Sequence, residues 1–225
     1  MPHRAESDRA EFDRAEFDRQ VQNLVDCGYP GLAGMSEEAF REALWQLAPV
    51  FDRMPTETAV AADDHIRFVV VVNQAPAADA AARMTLNGKP AILMMEPEDV
   101  ARFTPVEGVS VPGGLAYLPV DIDTGSEFCD VAPSRALPVI NKRGRTALTV
   151  AEGIALVTLR PDMLRKNKCF SLLASRCADK RVPAIWISGK APKLGWCWDG
   201  NPHTWLGSAS ASARIGAAVT AQFPR

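Results

Sequence analysis

The sequence predicts an α+β domain: a mixed or antiparallel sheet with flanking helices, preceded by an N-terminal helical hairpin. Three observations predict it. Helical patterning is concentrated at the start of the chain. β-Branched runs and turn pairs follow, interleaved with short helical stretches. Neither a regular βαβ alternation, nor a glycine fingerprint, nor a Walker-type loop is found, which argues against a Rossmann or P-loop domain. With 225 residues, 47% of them hydrophobic and 23% charged, the chain has enough apolar material for one large domain.

The chain opens on a five-residue repeat, RAESD-RAEFD-RAEFD, from Arg4 to Asp18. A period of five does not match the helical 3.6, so Phe12 and Phe17 drift apart around the axis. Residues 1–10 are therefore expected to be a frayed tail, with the helix starting near Glu11. Phe17, Val21, Leu24 and Val25 make its apolar stripe, and Gly28 stops it. Tyr29-Pro30-Gly31 is a turn. Ser36 caps a second helix, with Glu37 and Glu38 in the first turn where acids suit the dipole. Phe40, Leu44 and Leu47 form its buried side. Residues 11–55 thus read as a helical hairpin, and residues 65–225 as the α+β domain.

Met54 to Asp64 is linker-like. Ile66–Val72 is a strand, Pro76–Met84 is helical, and Asn87-Gly88 turns the chain into a strand at Ala91–Met95. Pro97 opens a short helix before the loop Thr104–Gly114. Leu115–Ile122 is a strand whose Pro119 predicts an edge or a bulge. Asp121 to Gly125 begins like a calcium loop but lacks the later ligands, so a strand-ending turn is expected. Pro133–Lys142 is helical. Thr149 and Glu152 form a capping-box pattern for a helix from Val150 to Leu159. Ala184–Ser188 and Leu194–Trp198 are strands joined by residues 189–193, and the small-residue run Ser208–Ala218 reads as a close-packed helix.

Charge is distributed unevenly. Residues 1–64 hold 14 acids and 6 bases, whereas residues 160–225 hold 3 acids and 11 bases. Such a split either steers an anion to the basic end or lets the two ends face each other, in the fold or in a homodimer. MPHRAESDR has no apolar core behind its basic residues, so no secretion signal is expected. The strongly apolar run Phe68–Val72 is too short to span a bilayer. The five cysteines form no disulfide framework, which points to reduced thiols and a cytoplasmic location.

Chemistry-bearing residues gather between Cys169 and Gly207, where four of the five tryptophans and three of the five cysteines fall. Cys169, Cys177, Cys197 and His203 have the identities of a zinc site, but C-x7-C and C-x5-H are not close metal knuckles. No metal or other cofactor is expected. Cys197, His203 and Asp199 have the identities of a nucleophile, base and orienting acid. On a strand, however, Cys197 points away from Trp196 and Trp198. The favoured reading is a binding pocket in which Arg176, Arg181, Trp196, Trp198, Asn201, His203 and Trp205 hold a small anionic ligand on an aromatic floor with a cationic rim. Against it stands a structural motif, with His203 hydrogen-bonded and the indoles in the core. Basic and aromatic residues also interleave as they do in nucleic-acid platforms, but a pI near 6.0 weighs against that partner. The alternative of a different class is a non-catalytic interaction protein that docks through the helical hairpin.

The segments GYPGLAG (Gly28–Gly34), LTVAEGIALVT (Leu148–Thr158), RVPAIWIS (Arg181–Ser188) and KLGWCWDGNPHTWLG (Lys193–Gly207) resemble a family of actinobacterial proteins defined by a domain of unknown function. The resemblance covers most of the chain after residue 17. It implies a shared fold, and neither an activity nor catalytic residues.

Overall fold

The protein is described here by a computed structural model, which covers residues 2–54 and 63–217; most of the expected linker lies outside them. Helix α1 spans Pro2–Asp26, starting well before Glu11. Its buried stripe is Asp13, Phe17, Gln20, Val21 and Leu24, the spacing of one helical face. After a single helical turn, α2 (Tyr29–Leu32), Ser36 accepts a hydrogen bond from Ala39 N at 3.2 Å and caps α3 (Glu37–Trp45). Phe40 and Leu44 of α3 are buried with Phe17 in one hydrophobic core that also takes in the strands, so the hairpin is packed on the sheet.

Strands β1 (His65–Phe68) and β2 (Val71–Val72) are followed by α4 (Ala77–Ala81) and the hairpin β3 (Thr85–Leu86) and β4 (Lys89–Pro90), which turns at Asn87-Gly88 as expected. Next come β5 (Ile92–Leu93), α5 (Pro97–Ala101), β6 (Thr104–Pro105), β7 (Ala116–Asp123), α6 (Pro133–Lys142), β8 (Thr146–Ala147) and α7 (Val150–Leu159). The chain finishes with β9 (Cys169–Ser171), β10 (Ser175–Arg176), β11 (Arg181–Ser188), β12 (Ala191–Trp198), β13 (Leu206–Ser208), β14 (Ser210–Ala211) and β15 (Ala213–Gly216). Two larger sheets result. In one, β7 lies between β1 with β2 and β14 with β15, and β8 lies beyond β14. The other has the order β13-β9-β11-β12-β5 and is mixed, because β13 runs parallel to β9 and β5 parallel to β12. The architecture is α+β.

Pro119 is not at an edge. It sits mid-strand in β7, opposite Arg214 on one side and accepting from Val69 N at 3.4 Å on the other. Proline has no N–H to return, so the ladder breaks there and separates β1 from β2. A buried side chain repairs the outer edge of that break. Gln20 of α1 donates to Phe68 O at 3.2 Å and accepts from Val70 N at 2.8 Å, standing in for a neighbouring peptide. Beside it, Arg67 makes a two-point ion pair with the buried Asp13, at 2.6 and 2.7 Å.

The small-residue C-terminus is strand, not helix. Ser210 and Ala213–Gly216 pair with β7 in one continuous register, and Ser210 and Ala211 pair with β8. Small side chains suit this position because Ser208 to Ala211 are all buried. Arg214 anchors the run. Its guanidinium is bound to Glu152 at 2.5 and 2.8 Å, to Thr146 Oγ1 at 2.6 Å and to Ala147 O at 2.8 Å. Glu152 is also the capping-box residue of α7, accepting from Thr149 N at 2.7 Å, and it takes the Tyr117 hydroxyl at 3.0 Å. A cap legible in the sequence is therefore one half of a buried ion pair. Among the described residues no helix is long and apolar enough to cross a membrane.

Candidate functional site

The β11–β12 hairpin organises the site. It turns on Gly189-Lys190 alone, both at positive φ, a tighter turn than the five residues expected. That turn sets the register in which Trp186 lies opposite Lys193, Ala184 opposite Gly195, and Arg181 opposite Trp198. Residues directly opposite share a face, so the hairpin separates the aromatic residues into two groups. Trp186, Ala184, Gly195 and Cys197 lie on one face, and Trp196, Trp198 and Arg181 on the other.

On the second face the indoles of Trp196 and Trp198 meet edge to face, with centroids 4.9 Å apart. Arg181 lies 5.7 Å from the ring centres of both Trp196 and Phe103 and is ion-paired with Asp179 (2.8 Å) and Asp99 (3.2 Å). Those carboxylates hold its pKa above the ordinary value, and Arg181 in turn lowers Asp99. Asp179 falls to about 2, chiefly through the Arg181 backbone N–H, then the Cys177 thiol, with the guanidinium adding to both. Arg181 is thus a neutralised structural cation, not part of an open cationic rim.

On the first face a pocket of about 240 Å³ opens beside β12. Ala184, Trp186, Cys197 and Leu206 line it from the strands. Asn201, His203 and Trp205 line it from the loop after β12, and Trp196 and Trp198, which flank Cys197 in β12, border it as well. Gly195 leaves room for the Trp186 ring: a Cβ there would stand 2.5 Å from it. The loop is pinned through its backbone. Asp130 N donates to His203 O (2.8 Å), Cys169 N to Trp205 O (3.0 Å) and Ser134 N to Asp199 O (3.0 Å). With the backbone held, the side chains remain available. The His203 ring tilts against Trp205 at 5.1 Å, and Trp205 lies 6.3 Å from Trp186. Among the described residues, neither the His203 imidazole nor the Asn201 carboxamide has a hydrogen-bond partner in the protein.

Arg176 does not line this pocket but stands near Cys197, which does. Its Nη2 donates to Asp199 Oδ1 at 2.8 Å, while Nη1 is buried with no partner among the described residues. Burial lowers its pKa, with Asp199 opposing, and the guanidinium is near enough to act on the Cys197 thiol. Five of the seven ligand-binding residues expected from sequence, Trp196, Trp198, Asn201, His203 and Trp205, line the pocket. Arg176 and Arg181 are the exceptions.

The nucleophile arrangement is not assembled. Cys197 is buried, and that burial raises its pKa, only partly countered by the Ser171 hydroxyl (3.8 Å from Sγ) and by Arg176. Asp199 is engaged with Arg176 and does not orient His203. The four candidate zinc ligands do not converge either. Cys169 is buried with its Sγ 3.5 Å from Arg165 O, Cys177 donates to Asp179 at 3.1 Å, and no group of three or more His, Cys, Asp or Glu among the described residues is placed to share an ion. Sequence reasoning missed Trp186 as a lining residue and Gly195 as the position over which its ring packs. The signal was the Gly189-Lys190 pair, whose two-residue turn fixes which side of the hairpin Trp186 occupies.

Residues 23–217 match a family of unknown function, DUF5701. The chain belongs to that family. No curated protein and no solved structure matches it.

Proposed function

We propose that this protein binds a small anionic molecule in the pocket between the β11–β12 hairpin and the Asn201–Trp205 loop. The observation that carries the reading is a set of polar groups left unused beside aromatic walls. Among the described residues the side chains of Asn201 and His203 have no hydrogen-bond partner, and Arg176, bonded to Asp199, holds a buried Nη1 without one. A buried donor without a partner costs about 1–3 kcal/mol, a penalty that applies to Arg176, while Asn201 is exposed and His203 half-buried, so both are free to meet a ligand. The aromatic lining supplies contact area and shape. In this reading the RVPAIWIS and KLGWCWDGNPHTWLG segments are the binding signature of an actinobacterial family, and the protein works in the cytoplasm.

Two measurements test it. Native mass spectrometry of freshly purified protein, set against the denatured mass, would reveal a retained small molecule. Thermal melting with acetate, succinate, inorganic phosphate and glucose would rank ligand charge, since a ligand of the native state raises Tm by mass action. The reading expects anions to stabilise the wild type and to lose that effect in Asn201→Ala and His203→Ala. Equal shifts in both variants, or stabilisation by glucose alone, would sink it.

A second reading has its own observation. Phe12 on α1 is 66% exposed and Trp45 on α3 is 42% exposed, so the helical hairpin presents aromatic surface to a protein partner or a second copy. Light scattering on wild type and Phe12→Glu decides it, an unchanged mass counting against this interface.

A further inference from the structure

We infer that the ligand class is an aromatic carboxylate of a single ring, a proposal that rests on the binding reading above. Size argues first. At about 240 Å³ the pocket falls below the roughly 300 Å³ at which sites for drug-sized ligands begin, so it accommodates one ring and a short substituent. Geometry argues second. Trp186 and Trp205 are 6.3 Å apart with their planes inclined at 55°, and His203 leans on Trp205 at 38°. Inclined walls form a wedge. A flat ring can lie offset on one indole and present its edge to the other, the two arrangements aromatic pairs favour.

Polar supply argues third and excludes the main rival. The lining side chains offer mostly donors, the Asn201 amide, the His203 ring and the indole N–H groups of Trp186, Trp196, Trp198 and Trp205, whereas every sugar hydroxyl brings a proton that needs an acceptor once desolvated. One carboxylate at the edge of a ring matches that supply. Its oxygens accept from the Asn201 amide and the His203 N–H, both on the loop that lines the pocket. Cys197 contributes an apolar floor, since its thiol is buried and held protonated.

Quenching of tryptophan fluorescence by benzoate, cyclohexanecarboxylate and benzyl alcohol tests the inference on the full chain. Benzoate should bind about three- to tenfold more tightly than cyclohexanecarboxylate, the value of an aromatic pairing beyond its area, and more tightly than benzyl alcohol. Trp205→Leu should remove the preference between the two carboxylates, while Phe12→Ala, on the distant α1, should leave it intact. Equal affinity for the two carboxylates would overturn the aromatic assignment and leave the anion site standing. Equal affinity for benzoate and benzyl alcohol would overturn the carboxylate. Absence of quenching by these ligands, together with no melting shift from acetate or phosphate, would remove the binding site altogether.

Discussion

Replacing Arg214 by Met should destabilise the protein more than any single change at the pocket. Arg214 and Glu152 are buried, with side chains 5% and 0% exposed, and the guanidinium also satisfies Thr146 Oγ1 and the Ala147 carbonyl. Removing the cation leaves the carboxylate in the core with only the Tyr117 hydroxyl and the Thr149 N–H for company. Breaking one side of a buried pair costs about 3–5 kcal/mol. The orphaned Ala147 carbonyl adds about 1 kcal/mol, for a total of about 5 kcal/mol. Against a stability of about 10 kcal/mol, that is half of what holds the fold. At about 3 °C per kcal/mol for a chain of this size, Tm should fall by about 15 °C. Urea unfolding followed by circular dichroism measures the loss directly. Glu152→Gln keeps the acceptor that caps α7, so the double variant Glu152→Gln/Arg214→Met should lose much less than the sum of its parts. A loss below about 1 kcal/mol for Arg214→Met, or strict additivity in the cycle, would refute the claim that the charges are coupled in a dry core.

Other outcomes follow from the same geometry. The chain has two tyrosines, and burial pushes Tyr29 up to about 12 and Tyr117 higher still, with the Glu152 carboxylate adding to the second. Folded values above the unfolded value of about 10 mean that this stability is present below pH 10 and lost as pH rises through about 12. Tyrosinate absorbance should therefore appear only together with loss of circular dichroism; a titration near pH 10 in folded protein would contradict it. Gln20→Leu strands Phe68 O and Val70 N at the break in the sheet and should cost about 2–4 kcal/mol in urea unfolding; a neutral result would show that water replaces the amide. Gly195→Ala drives a methyl into the Trp186 ring and should change tryptophan emission and weaken benzoate quenching with at most about 3 kcal/mol lost; unchanged quenching would dissociate Trp186 from the pocket.

Much of the local structure was legible in the chain because it rests on neighbours in sequence. The Ser36 cap, the Thr149–Glu152 capping box, the Asn87-Gly88 turn and the stripe at Phe17, Val21 and Leu24 each need only a few adjacent residues. The crowding of polar and aromatic groups near residues 196–205 also marked the pocket, since Asn201, His203 and Trp205 share one short loop. Tertiary structure decided what those signals could not carry. The SASASARIG run becomes strand because β7 and β8 supply the partners, and Pro119 stands inside a sheet because Gln20, a hundred residues earlier, mends the edge beyond it. Arg181 looks like a ligand-binding cation until Asp99, remote in sequence, neutralises it, while Arg176 keeps a free Nη1 because Asp199 takes only Nη2. Caps, turns and stripes are energies between near neighbours and are written in the sequence. Whether a charge is paired, an edge covered or an indole placed in a pocket is settled by residues brought together only on folding.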